Sequence, residues 1–267
     1  MKPCLLLSLF ALPLASQASL IAWYPLNEGS GTVANDASGH GNTMSTSGTW
    51  LPTGQFGGSM QLGPTSSLLA RTGTAGTSLS GFNATTGNKV SVSFWMKANA
   101  ESSGSSVFYM NDSNAGSSNR LLNLHMEWSD GNTYWDAGWP SPGAGPRLSG
   151  NIGSVSDALH HYVLTYNGDD GAMAIYRDGA SILSGTSSTT AALPWASVQN
   201  FEIGALSFQS FWPGGQIDDF AIFNHVLTAS EINIARTQGI SALAVPEPGA
   251  AALGLLSLAG LCVRRRR

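Results

Sequence analysis

The chain has 267 residues, of which 10% are charged, 42% are hydrophobic and 32 are glycine. An average soluble domain carries about 25% charged residues and about 7% glycine, so this composition indicates short strands joined by tight turns and excludes a helical bundle, a coiled coil and an ordinary disordered chain. Residues 19–246 contain seven basic and fifteen acidic side chains. Because phosphate backbones repel such an excess of acidic groups, the charge argues against nucleic-acid binding.

The N-terminal segment, residues 1–18, has the pattern of a secretory signal peptide. Lys2 precedes an apolar run over residues 5–14, and residues 16–18 supply small side chains before a cleavage point. A buried first strand is the alternative interpretation of the same segment. We expect residues 1–18 to direct export across the inner membrane and the folded domain to begin at residue 19.

Runs typical of β-strands recur through the body of the chain and are separated by turn signals. The pair Asp178-Gly179 suits the left-handed conformation that tight hairpins need. No internal repeat is found, and the length of the body suits one β domain. The predicted strands cover residues 20–25, 59–62, 90–96, 106–110, 121–128, 161–166, 172–176, 201–203 and 216–223.

One helix start can be identified from the sequence. Thr228 is followed three residues later by Glu231, which is the spacing of a capping box. In this motif each of the two side chains binds the backbone N–H of the other residue. The pattern predicts a short helix through about Thr237, and residues 240–248 then form a linker with a Pro-Glu-Pro motif.

The C-terminal segment, residues 245–267, combines the Pro-Glu-Pro motif, an apolar stretch over residues 249–263 and four terminal arginines. A helix of that apolar length spans about 22 Å, short of the roughly 30 Å hydrocarbon core, and snorkelling arginines supply part of the difference. The order of these parts resembles a PEP-CTERM sorting signal. The resemblance implies a transmembrane span over residues 249–267, processing by an exosortase-type enzyme, and release or attachment at a Gram-negative cell surface. A plain tail anchor is the alternative.

Six further motifs occur in order along the body of the chain. They are WYPLNEGSGT at residues 23–32, NDASGHGN at 35–42, FGGSMQL at 56–62, VSVSFWM at 90–96, the pair HHYVLTY and IYRDG within 160–179, and GQIDDFAIF at 215–223. Together they resemble a laminin-G-like domain of the concanavalin A-like lectin/glucanase superfamily. The resemblance implies an all-β, jelly-roll β-sandwich of two antiparallel sheets over residues 19–239, with one short C-terminal helix.

The loop over residues 36–42 gathers carboxylate, hydroxyl and amide oxygens, which are the ligands that calcium prefers. The resemblance implies a structural calcium ion that bridges this loop to an aspartate of the last strand. Its expected ligands are Asp36, Asn42 and Asp218, with Asp219 as the alternative on that strand. Without calcium, Asp36 would instead form an Asx turn with the backbone two residues on.

Residues 125–146 hold four aromatic side chains among carboxylates and amides. Ligand sites combine apolar and aromatic surface with a few well-placed polar groups, and a sugar offers flat C–H faces and hydroxyl edges to such a site. Rings that cap the open ends of the sandwich are the alternative. The residues expected to bind carbohydrate are Trp128, Tyr134, Trp135, Asp136 and Trp139.

The sequence argues against catalysis. Glycosidases need two carboxylates about 5–5.5 Å or roughly 6.5–9.5 Å apart, and no run of acids places such a pair on one strand. We therefore expect no catalytic residues. The leading hypothesis is an exported, non-catalytic module that binds a glycan or exopolysaccharide at the cell surface or in the extracellular matrix. The alternative is a structural or adhesion protein that contacts other proteins and binds no sugar.

Overall fold

The computed structural model describes most of the body of the chain. The predicted signal peptide and the predicted sorting tail lie outside the described residues. Within the described ranges, no helix is long and apolar enough to cross a membrane. These ranges are 20–63, 68–71, 79–83, 85, 87–99, 105–112, 120–126, 128–138, 145–190, 193, 195–204 and 215–244.

The described residues form a mainly β structure with short helices near its C-terminal end. In chain order the elements are β1 (Leu20–Tyr24), β2 (Val33–Ala34), β3 (Met44–Thr46), β4 (Thr49–Leu51), β5 (Ser59–Leu62), β6 (Leu68–Arg71), α1 (Ser80–Asn83), β7 (Lys89–Ala98), β8 (Ser105–Asn111), β9 (Arg120–Met126), β10 (Thr133–Ala137), β11 (Arg147–Gly150), β12 (His160–Asn167), β13 (Ala172–Arg177), β14 (Ala180–Thr186), a 3-10 turn (Trp195–Ser197), β15 (Asn200–Ile203), β16 (Gly215–Phe223), α2 (Ala229–Gln238) and α3 (Ser241–Ala244).

Two antiparallel sheets pack into the jelly-roll sandwich that the sequence predicted. Sheet A has the order β14-β13-β12-β7-β16-β5-β4, with β1 paired to β16, and sheet B has the order β11-β10-β9-β8-β15-β6-β3-β2. All nine predicted strands are present. The capping box is confirmed, since Thr228 N donates to Glu231 Oε2 at 2.7 Å and Glu231 N donates to Thr228 Oγ1 at 3.3 Å.

Four phenylalanines join the two sheets at the centre of the sandwich. Phe94 on β7 and Phe220 on β16 stack with ring centroids 5.5 Å apart. Phe108 on β8 and Phe201 on β15 contact Phe220 from the other sheet, with centroid distances of 5.5 and 5.6 Å. All four side chains are fully buried. Aromatic pairs of this kind stabilise a core beyond the area they bury, so the cluster fixes which residues of each strand face inward.

The outer face of sheet A is covered by a second hydrophobic cluster at α2. Ile232 and Ala235 of α2 pack there together with Val163, Ala221 and Phe223 of the sheet. His161 lies in β12 two residues before Val163, so its side chain is on the same outer face. Its Nε2 is 2.9 Å from Ser93 Oγ, and burial lowers the pKa of His161 to about 4.

Truncation of one ring of the central cluster should strongly destabilise the fold. We expect Phe108→Ala to lower the free energy of unfolding by about 3 to 5 kcal/mol, because it leaves a cavity between the two sheets. The matched control is Val33→Ala, since Val33 is 44% exposed. Urea unfolding of both variants measures the difference, and an equal loss in the two would contradict the assignment of this core.

The buried His161 should make the fold sensitive to acid. Its pKa is about 4 in the fold and about 6.5 when unfolded, so the neutral form is favoured in the native state. The contribution of neutral His161 to the free energy of unfolding is therefore fully present above about pH 6.5. It decreases as the pH falls towards 4, by about 2 to 3 kcal/mol at about pH 4.5.

Urea unfolding at about pH 7.5 and about pH 4.5 measures this loss. His161→Gln should remove it, while His40→Gln, which replaces an exposed histidine, serves as the matched control. An unchanged loss in His161→Gln would show that other groups cause the acid sensitivity.

Candidate functional site

A continuous row of polar side chains crosses the outer face of sheet B. The registers pair Arg147 with Asp136, Asp136 with Asn123, Asn123 with Tyr109, and Tyr109 with Glu202. Directly paired residues of an antiparallel sheet point to the same face. The row therefore extends over five neighbouring strands, and its side chains lie on the face opposite to the core.

The accessible end of this row is at the β9–β10 hairpin. We call Trp128, Asp130, Asn132, Tyr134 and Arg147 the hairpin patch. The turn is closed by Trp128 N, which donates to Asn132 O at 2.7 Å. Asp130 accepts from Asn132 N at 3.0 Å and from the hydroxyl of Tyr134. Asp130 is exposed and the other four residues are half-buried, so ligands in solution can reach the patch.

Two aromatic rings of the patch, Trp128 and Tyr134, are each held by a neighbouring side chain. The ring of Trp128 lies 4.6 Å from the ring of His125, which is the cross-strand partner of Tyr134. The guanidinium carbon of Arg147 lies 4.8 Å from the centroid of the Tyr134 ring. Each ring is thus fixed by a neighbouring side chain of the sheet, while part of its surface remains exposed.

Arg147 and Asp136 form a bidentate ion pair beside these rings. Nε and Nη2 of Arg147 donate to the two carboxylate oxygens of Asp136, the second at 2.8 Å. This hydrogen bonding raises the pKa of Arg147. The side chains are 29% and 13% exposed, so the pair lies at the border between the patch and the buried part of the row.

A buried network supports the patch from below. Arg120 Nη1 lies 2.9 Å from His125 Nε2, and His125 Nδ1 lies 2.6 Å from Ser106 Oγ. A guanidinium only donates hydrogen bonds, so Nε2 of His125 accepts and the ring proton is assigned to Nδ1, which donates to Ser106. This arrangement fixes the orientation of the imidazole on which Trp128 packs.

The structure brings together three of the five residues expected to bind carbohydrate. Trp128, Tyr134 and Asp136 lie on the outer face of sheet B. Trp135 does not, because successive residues of a strand alternate and its ring is 0% exposed, with Nε1 donating to Thr165 O at 3.0 Å. The expectation of a surface role for Trp135 is thereby corrected. Trp139 lies outside the described residues.

Sequence reasoning did not identify Arg147 or Asn123 as parts of this site. The alternation of polar and apolar residues over Thr133–Ala137 could have separated Tyr134 and Asp136 from Trp135. No local signal marks Arg147, since its position depends on the pairing of β11 with β10.

Asp36 and Asn42, which were expected to bind calcium, accept hydrogen bonds from the main chain. Asp36 Oδ1 accepts from the backbone N–H of Trp23 at 3.0 Å and of Ser38 at 2.9 Å, and Oδ2 accepts from Asn42 at 2.9 Å. The bond from Ser38 is the Asx turn that was the alternative to calcium. Asn42 Oδ1 accepts from Gly81 N at 3.3 Å. These oxygens therefore close and anchor the loop.

Asp218 has a similar role on the last strand. Its Oδ2 accepts from the backbone N–H of Gln55 at 2.7 Å and of Phe56 at 3.2 Å, and burial raises its pKa to about 6. Asp219 accepts from Trp23 Nε1 at 2.6 Å and from Ile240 N at 3.0 Å. Within the described ranges, no cluster of three or more His, Cys, Asp or Glu side chains could hold a metal ion. Calcium binding therefore stays a prediction.

A groove of about 770 Å³ lies on the other sheet. Its lining includes Lys89, Tyr176, His225 and Glu231, and it contains none of the residues predicted to bind carbohydrate or calcium. Glu231 is already engaged by the capping box of α2. The groove is therefore separate from the hairpin patch.

Comparisons with known proteins agree with this architecture. Domain 4 of AbnA, a GH43 extracellular arabinanase from Geobacillus stearothermophilus, solved in complex with arabinotriose, is 19% identical, with a TM-score of 0.57 over 81% of this chain and 98% of that domain. The binding domain of botulinum neurotoxin DC in complex with SialylT is 15% identical, with a TM-score of 0.60 over 82% of this chain and 51% of that one. The chain thus spans about half of the toxin domain, and at these identities the likeness concerns the fold.

No curated protein matches the chain. The family model described as the concanavalin A-like lectin/glucanases superfamily matches residues 71–233, which is more than half of the sequence. The chain belongs to this superfamily.

Proposed function

We propose that the hairpin patch binds carbohydrate and that the protein is a non-catalytic glycan-binding module. The observation that carries the proposal is the pair of half-buried rings, Trp128 and Tyr134, on one face of a rigid sheet. Asp130, Asn132 and Arg147 surround them with carboxylate, amide and guanidinium groups. Such a site suits a sugar, whose C–H face packs on a ring while its hydroxyls bind polar groups.

The rigidity of the patch favours binding. The imidazole of His125 supports Trp128, while Arg147 and Asp130 hold the ring and the hydroxyl of Tyr134. Side chains that are ordered before binding lose little conformational entropy when the ligand arrives. A shallow patch of this kind can therefore give useful affinity with few contacts.

The known ligands of similar folds support this choice. The arabinanase domain is bound to arabinotriose and the toxin domain to SialylT, and both share the sandwich of this chain. We apply this chemistry to the present chain as part of the proposal, since the sequence identities are only 19% and 15%.

The acids of the patch support a non-catalytic role. Hydrolysis of a glycosidic bond needs one carboxyl group that is protonated and can act as an acid. The pKa of Asp130 is instead lowered, chiefly by the hydrogen bond from Tyr134. Asp136 is engaged with Arg147 through both carboxylate oxygens. Neither group resembles a general acid.

The proposed location is the cell surface or the extracellular matrix. It rests on the signal-peptide pattern of residues 1–18 and on the resemblance of residues 245–267 to a sorting signal. The expected processing enzyme is of the exosortase type, and the expected target is an exopolysaccharide. A structural or adhesion role without sugar binding is the alternative that the experiment below separates from this one.

Retention of the purified full-length chain on immobilised polysaccharides tests the proposal. We expect at least one polysaccharide to retain the protein, and Trp128→Ala to weaken retention about tenfold, since loss of a central aromatic contact costs more than about 1 kcal/mol. Tyr176→Ala is the matched control, because Tyr176 is a half-buried aromatic residue in the groove on sheet A. The screen is run with calcium and again with EDTA.

Two results would contradict the proposal. If no polysaccharide retains a sample whose fold is verified by circular dichroism, the structural or adhesion role becomes the better explanation. If Tyr176→Ala abolishes retention and Trp128→Ala does not, the binding site lies in the groove on sheet A.

A further inference from the structure

Arg147 is the cation of the hairpin patch, but the Nε–Nη2 edge of its guanidinium, which we call its fork, is occupied. An arginine beside an aromatic ring commonly binds a carboxylate through two parallel N–H groups. In this structure Nε and Nη2 of Arg147 both donate to Asp136, its cross-strand partner. A ligand carboxylate would either have to displace Asp136 from a geometry that the sheet itself supports or bind the remaining Nη1–Nη2 edge of a guanidinium whose charge Asp136 already compensates.

The remaining charges of the outer face of sheet B also disfavour an anion. Arg120 is half-buried, donates to His125 and lies 5.9 Å from the Tyr109 ring centroid. Burial is the main cause of the raised pKa of Tyr109, and Glu202 and Asp112 are close enough to add to it. Among the described residues this face carries three arginines and four carboxylates, namely Arg71 (placed by its pairing with Asn200), Arg120, Arg147, Asp112, Asp130, Asp136 and Glu202.

The charge of the whole body acts in the same direction. Residues 19–246 carry fifteen acidic and seven basic side chains, so a polyanion is repelled before it reaches the patch. The groups left to a ligand are the exposed ring surfaces, the ion-paired Arg147 and Asp136, and the hydrogen-bonded carboxylate of Asp130. These suit hydroxyl groups.

We infer that the hairpin patch selects uncharged glycans over carboxylated ones, and that Asp136 determines this selectivity by occupying the fork of Arg147. The inference rests on the proposed function and names the class of glycan that the patch binds. It differs from the expectation that Asp136 contacts the sugar directly.

The first experiment compares uncharged polymers with their charged derivatives. Dextran, hydroxyethyl cellulose, arabinan and xylan are each presented unmodified and with added carboxymethyl groups. We expect the full-length chain to be retained at least about tenfold more strongly by an uncharged form, with little change between about 50 and about 500 mM salt, because no net ionic contact is involved.

The outcomes distinguish a failure of the selectivity from a failure of glycan binding itself. Stronger retention on carboxymethyl forms, lost at high salt, overturns the selectivity while glycan binding stands. Retention on no polymer in either form overturns glycan binding, and the selectivity with it.

The second experiment removes the charge of Asp136. Asp136→Asn keeps the shape of the side chain and releases Arg147, so we expect about fivefold or greater gain in retention on carboxymethyl polymers that disappears at about 500 mM salt. The matched control is Asp130→Asn, which changes the net charge of the patch equally but leaves the fork of Arg147 occupied. The double variant Asp136→Asn/Arg147→Gln should lose the gain.

Equal gains in Asp136→Asn and Asp130→Asn would show that net charge alone sets the preference and would overturn the role of Asp136. No gain in a folded Asp136→Asn protein would overturn it as well. If Asp136→Asn does not fold, Asp136→Ser provides the same test with a smaller side chain. The fold of each variant is checked by urea unfolding.

Discussion

The packing of Phe94 and Phe220 against Phe108 and Phe201 is the constraint on which the rest of the structure depends. It joins the two sheets and sets the inward face of each central strand. Side chains alternate along a strand, so an inward Phe108 requires an outward Tyr109. The registers of β8 with β9, β9 with β10 and β10 with β11 then determine which side chains of each strand face outward, as far as the hairpin patch. A slip of one residue in β10 would bring Trp135 to the surface and turn Tyr134 towards the core.

Among the described residues, the two outer faces of the sandwich differ in that a helix, α2, packs on sheet A. On sheet A, α2 packs over Val163, Ala221 and Phe223, and that face is therefore hydrophobic. On sheet B the corresponding positions are polar and hydrogen-bonded to one another. Asp219 accepts a hydrogen bond from Ile240 N. It thereby anchors the segment that follows α2 to the last strand of sheet A. On sheet B the part of the polar face that a ligand can reach is its partly exposed end at the hairpin patch.

The sequence predicted nine strands with apolar or alternating patterns, missed the alternating strand β10, and missed strands without a clear pattern. β14 consists of Ala, Ser, Ile, Leu, Gly and Thr, and β2 has two residues, so neither carries a clear periodic signal. The grouping of aromatic residues was misleading for Trp135, because closeness in sequence does not place neighbours on one face of a strand. Simple alternation also fails at Asp218 and Asp219, because the register with β7 shifts there and Asp219 has a positive φ of 47°.

The pair Asp136–Arg147 illustrates why the binding site needs the structure as well as the sequence. The two residues are eleven positions apart and meet only because β10 and β11 pair in one register. Partly exposed ion pairs add little stability, commonly about 0 to 1 kcal/mol, and apolar cross-strand pairs could stabilise the pairing of β10 with β11 comparably. Stability therefore explains the pair poorly. Its distinct physical consequence is that the patch keeps an arginine to stack on Tyr134 without offering a free cation to anionic ligands, and specificity arises as much from such exclusion as from attraction.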